Sequence, residues 1–172
     1  MFIDMLYTQD NKRGHMQNSI STIGYEGATI EAFVASLMRS GIDVIIDVRD
    51  VPLSRKKGFS KNQLAERLSV HGIRYVHLKG LGDPKEGREA ARAGNYPLFQ
   101  RIFAKHLRSA AATEALAYAA DIVREERACL MCFEADPETC HRTIVADRLS
   151  QMTGMPVDAL SAQERRKMQL AA

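Results

Sequence analysis

Apolar and polar positions come in short blocks whose period changes along the chain. Ser19 to Gly24 (S-I-S-T-I-G) alternates and is rich in β-branched residues, which predicts a strand. After Thr29, the apolar residues Ile30, Phe33, Val34, Leu37 and Met38 recur at the spacing of one helix face. Gly41 follows where a helix commonly ends on a left-handed residue. Val44 to Val48 (V-I-I-D-V) is almost wholly apolar, the pattern of a strand buried on both faces of a parallel sheet. The capping box Ser60-x-x-Gln63 starts a second helix through Leu64, Ala65 and Leu68, closed by Gly72, and Arg74 to Leu78 is a third strand.

Gly80 to Pro97 is a long connection rich in glycine and charge, read as a lid with a short helix around Glu89. Helices are predicted over about Leu98 to Leu107 and Thr113 to Arg127, the latter with Leu116, Ala119, Ala120 and Val123 on one face. A fourth strand runs from Ala128 to Phe133. A helix then runs from Pro137 to Thr153, with Asp136 as N-cap and proline at its first position. Ser161-x-x-Glu164 caps a polar C-terminal helix. Strands alternating with helices predict an α/β three-layer sandwich with a mainly parallel sheet of four or five strands flanked by helices. Residues 20–172 are expected to form a single α/β domain. The polar, aperiodic residues 1–19 are expected to be a flexible tail or an overextended start, with Met16 as the true beginning.

Composition changes this picture little. With 172 residues, 45% hydrophobic and 26% charged, the chain can bury a core of its own. The net charge of +3 is too small to argue for nucleic acid, but Arg49 to Lys79 holds eight Lys or Arg against two acids. No apolar run approaches the roughly 20 residues needed to cross a bilayer, and no signal-peptide pattern opens the chain, so a cytoplasmic protein without a membrane partner is expected. Three clustered cysteines, Cys129, Cys132 and Cys140, do not form a secreted disulfide framework, and reduced thiols are expected.

The candidate chemistry gathers at one end of the predicted strands. In open parallel sheets, ligands bind beyond the carboxyl ends of the strands. Tyr25 and Glu26 follow the first strand there, Asp47, Arg49 and Arg55 the second, Gly80-Leu81-Gly82-Asp83 the third, and Glu134 with Cys140-His141-Arg142 the fourth. Arg142 near a helix N-terminus suits an anion such as phosphate, with Arg49 and Arg55 converging on it, or else pairs with Asp47 or Glu134. Asp47 pairs locally with Arg49, or joins Glu134, which it should face across the sheet edge, as a general base or a ligand for a hard divalent cation. Cys140 is a nucleophile activated by the helix N-terminus and His141, or a small buried apolar side chain. His141 is a general acid or anion donor, or a satisfied core histidine.

Three patterns limit the alternatives. No cysteine has arginine in the phosphatase-loop spacing. Cys129 and Cys132, three apart in a strand, face opposite sides and should not share a metal, so no cysteine-bound ion is expected. No G-x-G-x-x-G is present, so no dinucleotide cofactor is indicated. The basic run Arg55 to Lys61 is suited to a nucleic-acid backbone, with Phe59 available to stack on a base, or is a solvated loop with Phe59 packed beneath it.

T-I-G-Y-E-G, D-V-R-D-V-P-L-S-R, G-F-S-K, G-I-R-Y-V-H-L-K-G-L-G and C-F-E-A-D-P-E-T-C-H-R, in this order, resemble the domain of unknown function 488 family from about Ser21 to Met152. The chain departs from that family's Leu-Gly-Gly loop by placing Asp83 after Leu81-Gly82. The resemblance implies an α/β fold and a shared site, and it supplies no reaction. The expected function is therefore binding of a phosphorylated, nucleotide-like or other anionic ligand at the carboxyl edge of the sheet, as a hydrolase or transferase. The alternatives are a non-catalytic nucleotide or nucleic-acid-binding module, and an interaction protein whose polar cluster is a structural ion-pair network.

Overall fold

A computed structural model describes residues 19–163. Its five strands are β1 (Ile20–Gly24), β2 (Val44–Asp47), β3 (Arg74–His77), β4 (Ala128–Cys132) and β5 (Val157–Ser161). All neighbours pair in parallel, in the order β3-β2-β4-β1-β5. β2 and β4, which read as continuous apolar runs, are buried along their whole length in the middle of the sheet. Cys132 pairs with Gly24, and Asp47 with both Met131 and His77, so the strand ends lie level along one edge.

Helices cover both faces. α1 (Ile30–Arg39) and α2 (Lys61–Ser69) pack on one, where Phe33, Leu37, Leu64 and Leu68 meet Ile23, Ile45, Cys129 and Met131. α3 (Lys85–Arg92), α4 (Tyr96–His106), α5 (Ala110–Glu125) and α6 (His141–Thr153) cover the other, with Phe99, Phe103, Leu116 and Leu149 against Val44, Ile46, Leu130 and Cys132. The steps from β1 to β2 to β3 move one way across the sheet, and those from β3 to β4 and β4 to β5 move back. Right-handed crossovers then place α1 and α2 opposite α3 to α6. The α/β three-layer sandwich expected from the sequence is the observed architecture.

Several local expectations are corrected. The segment read as a lid holds a 3-10 turn, Lys79–Leu81, and then α3, whose Ala90 is buried in the core, so it forms a wall of the fold. Ser60 sits at the N-cap of α2 but makes no capping bond; its hydroxyl exchanges hydrogen bonds with the Ser54 backbone, and Gln63 accepts from the Gly58 N–H instead. The helix expected from Pro137 is split: Pro137–Thr139 is a 3-10 turn capped by Asp136, Cys140 is extended, and α6 begins at His141. β5 reads poorly as a strand because it is a largely exposed edge paired to β1 alone. Of the terminal expectations, residues 1–18 and the helix proper from residue 164 lie outside the described residues. Among the described residues no helix is long and apolar enough to cross a membrane.

Candidate functional site

A cleft of about 730 Å³ opens at the carboxyl edge, and the loop after each of the first four strands contributes to it. Tyr25 comes from the end of β1, and Arg49 to Lys56 from the β2 loop. Asp83, Arg88 and Arg92 come from the segment after β3, and Cys132, Phe133, Glu134 and His141 from β4 and the start of α6.

Asp47 and Arg49 form a buried ion pair on the α1–α2 side. Arg49 Nη2 donates to Asp47 Oδ2 at 2.6 Å, and its Nε–H reaches both carboxylate oxygens at 2.9 and 3.1 Å. Its Nη1 donates to the Tyr25 hydroxyl at 3.0 Å and the Phe59 carbonyl at 2.9 Å. The Tyr75 hydroxyl donates to Asp47 Oδ2 at 2.5 Å; burial first, then the Asp47 charge, pushes that phenol well above its ordinary range. Asp47 is 0% exposed and does not line the cleft, so its carboxylate is occupied as a counter-ion and is not offered to a hard cation. Phe59 is fully buried, stacked on Tyr25 at 4.3 Å and edge-on to Phe33, so it is not available to a base.

On the other face, Glu134, Cys132, Cys140 and His141 converge. Glu134 Oε2 accepts from the Cys140 thiol at 3.1 Å and the Cys132 thiol at 3.2 Å. Burial alone would raise the Glu134 carboxyl, but the Cys140, backbone and Cys132 donors outweigh it and hold the group below its ordinary value. His141 Nε2 donates to the Val48 carbonyl at 2.8 Å, which leaves Nδ1 as the free ring nitrogen, and Cys132 Sγ lies beside the ring, 3.7 Å from Nδ1 and 4.0 Å from Nε2. Burial drives the Cys140 thiol well above its ordinary value, so the helix start does not make it a ready thiolate. Cys129 lies in the opposite core layer from Cys132, as strand alternation requires.

Arg142 is 1% exposed and does not line the cleft. Its Nη1 and Nη2 donate to the carbonyls of Glu134 and Ala135 at 2.5 and 3.2 Å, so it clamps the turn that presents Glu134. Glu26 accepts from the Ala135 N–H at 3.0 Å and braces the same turn. The cleft thus gathers Tyr25, Arg49, Arg55, Glu134 and His141 from the expected set, while Glu26, Asp47, Cys140 and Arg142 stand behind it.

The sequence placed Asp83 at this edge without a role and offered Cys132 only as a strand cysteine, and it did not mark Arg88 and Arg92 as lining residues. Arg88 and Arg92 had a legible signal, since residues four apart share a helix face. Arg88 pairs with Asp50 at 2.8 Å and also donates to the Asp83 carbonyl, which fastens α3 to the β2 loop. Asp83 is buried with no partner on Oδ1, and burial pushes its carboxyl up to about 6.

Comparison with curated proteins and with solved structures finds no match. Residues 29–149, from the start of α1 into α6 and including every cleft residue except Tyr25, match the family described as domain of unknown function DUF488, in line with the resemblance of the motifs, and the chain belongs to that family.

Proposed function

We propose that the cleft binds a phosphorylated, nucleotide-like ligand, and that the chain acts on it as a hydrolase or transferase in the cytoplasm. The reading rests on one observation: Arg55, Lys56 and Arg92, none of them in an ion pair among the described residues, share a cleft with the exposed apolar side chains Val51, Leu53 and Phe133. Guanidinium and ammonium groups match phosphate oxygens, and an apolar rim matches the flat face of a base. Asp83 and Glu134 supply carboxyl groups to the same cavity, the former close to a pKa useful for proton transfer at neutral pH. Three free cysteines suit a reducing compartment.

Thermal melting of the chain in the presence of nucleotides, sugar phosphates and short nucleic acids tests the reading. A phosphorylated small molecule is expected to raise the midpoint, and the double variant Arg55→Ala, Arg92→Ala to lose that shift. No shift of the wild-type chain with any phosphorylated compound would overturn it. One observation favours a second reading, a nucleic-acid-binding module: Lys56 lines both this cleft and a neighbouring groove of about 760 Å³ that also holds Lys57, while Arg67 there is paired with Glu31. A longer polyanion could follow that path. Binding to oligonucleotides with a steep salt dependence and no turnover would favour it.

A further inference from the structure

Cys132, Cys140 and His141 each offer a ligand atom, and these atoms all lie within 4.8 Å of one another beneath the cleft. We infer that these three side chains hold a zinc ion, with Glu134 as the fourth ligand on the side open to the cleft. Zn–S bonds of about 2.3 Å and Zn–N bonds of about 2.0–2.1 Å at a tetrahedral angle imply an S to N separation of about 3.6 Å. Cys132 Sγ and His141 Nδ1 are 3.7 Å apart, and Nε2 of the same ring is 4.0 Å from that sulfur, so the imidazole must rotate to aim Nδ1 at the ion. A thiolate and a carboxylate oxygen on the same ion would be about 3.5 Å apart. Glu134 Oε2 lies 3.2 and 3.1 Å from the two sulfurs, so a small outward shift of the carboxylate, together with that ring rotation, admits the ion.

The surroundings support the assignment. A histidine ligand usually donates its other ring N–H to a carbonyl or carboxylate, and His141 Nε2 donates to the Val48 carbonyl at 2.8 Å. The break between the 3-10 turn and α6 leaves Cys140 extended, with φ −114° and ψ 138°, at the helix cap beside the first helical residue, His141. Two thiolates and an imidazole select zinc over the hard cations magnesium and calcium. Binding replaces both S–H protons, which leave to solvent, and the resulting centre with two thiolates, one carboxylate and Zn²⁺ carries one net negative charge. Arg142, the next residue after His141, is a buried cation in no ion pair among the described residues, and it supplies the opposite charge. Glu134 is the ligand with the greatest exposure, so it marks the position at which water or a cleft ligand would reach the metal. The site stands independently of the phosphorylated-ligand reading.

The test is metal titration of the full chain, reduced and stripped with a chelator, using zinc against a chromophoric indicator and cobalt(II) by absorbance. One zinc per chain is expected, with sulfur-to-cobalt charge-transfer bands and the intense visible bands of a tetrahedral centre. Cys132→Ser and Cys140→Ser should each weaken zinc binding by on the order of 100-fold or more, since loss of an outer partner alone costs about 10–100-fold. Cys129→Ser, altered in the opposite core layer, should retain one zinc. Circular dichroism establishes that each variant is folded, and the wild-type titration decides the matter if a variant is not. A wild-type chain that takes up no stoichiometric zinc, a cobalt spectrum without thiolate bands, or binding that depends on Cys129 would overturn the inference.

Discussion

Asp47 and Asp83 show how the same residue type takes opposite parts. Asp47 is surrounded by the Arg49 guanidinium and the Tyr75 hydroxyl, and its removal leaves a buried cation without compensation. Asp47→Ala is therefore expected to lower unfolding free energy by about 3–5 kcal/mol, read by urea denaturation, the usual cost of breaking a buried pair. A carboxylate needed only for catalysis would leave the denaturation midpoint in place. Asp83 is buried without a partner on Oδ1, and its carboxyl is raised to about 6 from 3.8. The folded state thus holds the proton more tightly than the unfolded chain. The associated stability is present below about pH 4 and is lost as pH rises toward about 6. In metal-free protein, Asp83→Asn should flatten this dependence and stabilise the fold at pH 8 relative to wild type by on the order of 1–3 kcal/mol. A difference between the two chains that is equal at pH 4 and pH 8 would refute a desolvated carboxyl. At this scale the sequence revealed the residue types but not their partners: Asp47 two residues before Arg49 was legible as a local pair, whereas Tyr25 and Phe59 reach Arg49, and Tyr75 reaches Asp47, only through the fold.

Among the elements, the turn after β4 decides the site. A Cβ on Gly24 would lie 1.7 Å from the Glu134 carbonyl oxygen, the same atom that Arg142 Nη1 grips at 2.5 Å. Gly24→Ala should therefore push the turn away and cost about 1–3 kcal/mol or more in chemical denaturation, as overpacking does. An unchanged midpoint would mean that the β1 and β4 ends do not pack this closely. The sequence suggested a continuous helix from Pro137 because Asp136-Pro137 has the chemistry of a helix start. That chemistry is used, since Asp136 accepts from the Glu138 N–H, but only for one 3-10 turn. Burial of Cys140 beside Cys132 and Glu134 competes with helix continuation, and α6 restarts one residue later. The same competition explains Ser60, whose hydroxyl is taken by the Ser54 backbone.

For the whole molecule, the parallel sheet brings loops from distant parts of the chain to one edge, and binding there should stabilise all of it. A ligand at 100 times its Kd adds about 2.7 kcal/mol, or roughly 5–10 °C in Tm for a chain of this size, and the gain should shrink as salt screens Arg55, Lys56 and Arg92. A ligand-induced rise insensitive to ionic strength would argue against those cations as its grip.

The alternation of strands and helices, the parallel sheet and the edge at which the polar clusters collect were all legible in the chain, because residue period and strand burial are local properties written into each segment. The separation of Cys129 from Cys132 was legible too, since side chains alternate along any strand. That Cys132 meets Cys140 and His141, while Asp47 turns to the opposite face from them, is visible in the fold alone. Those meetings depend on strand order and crossover direction, which are set by packing between segments far apart in the chain and leave no mark in the local pattern.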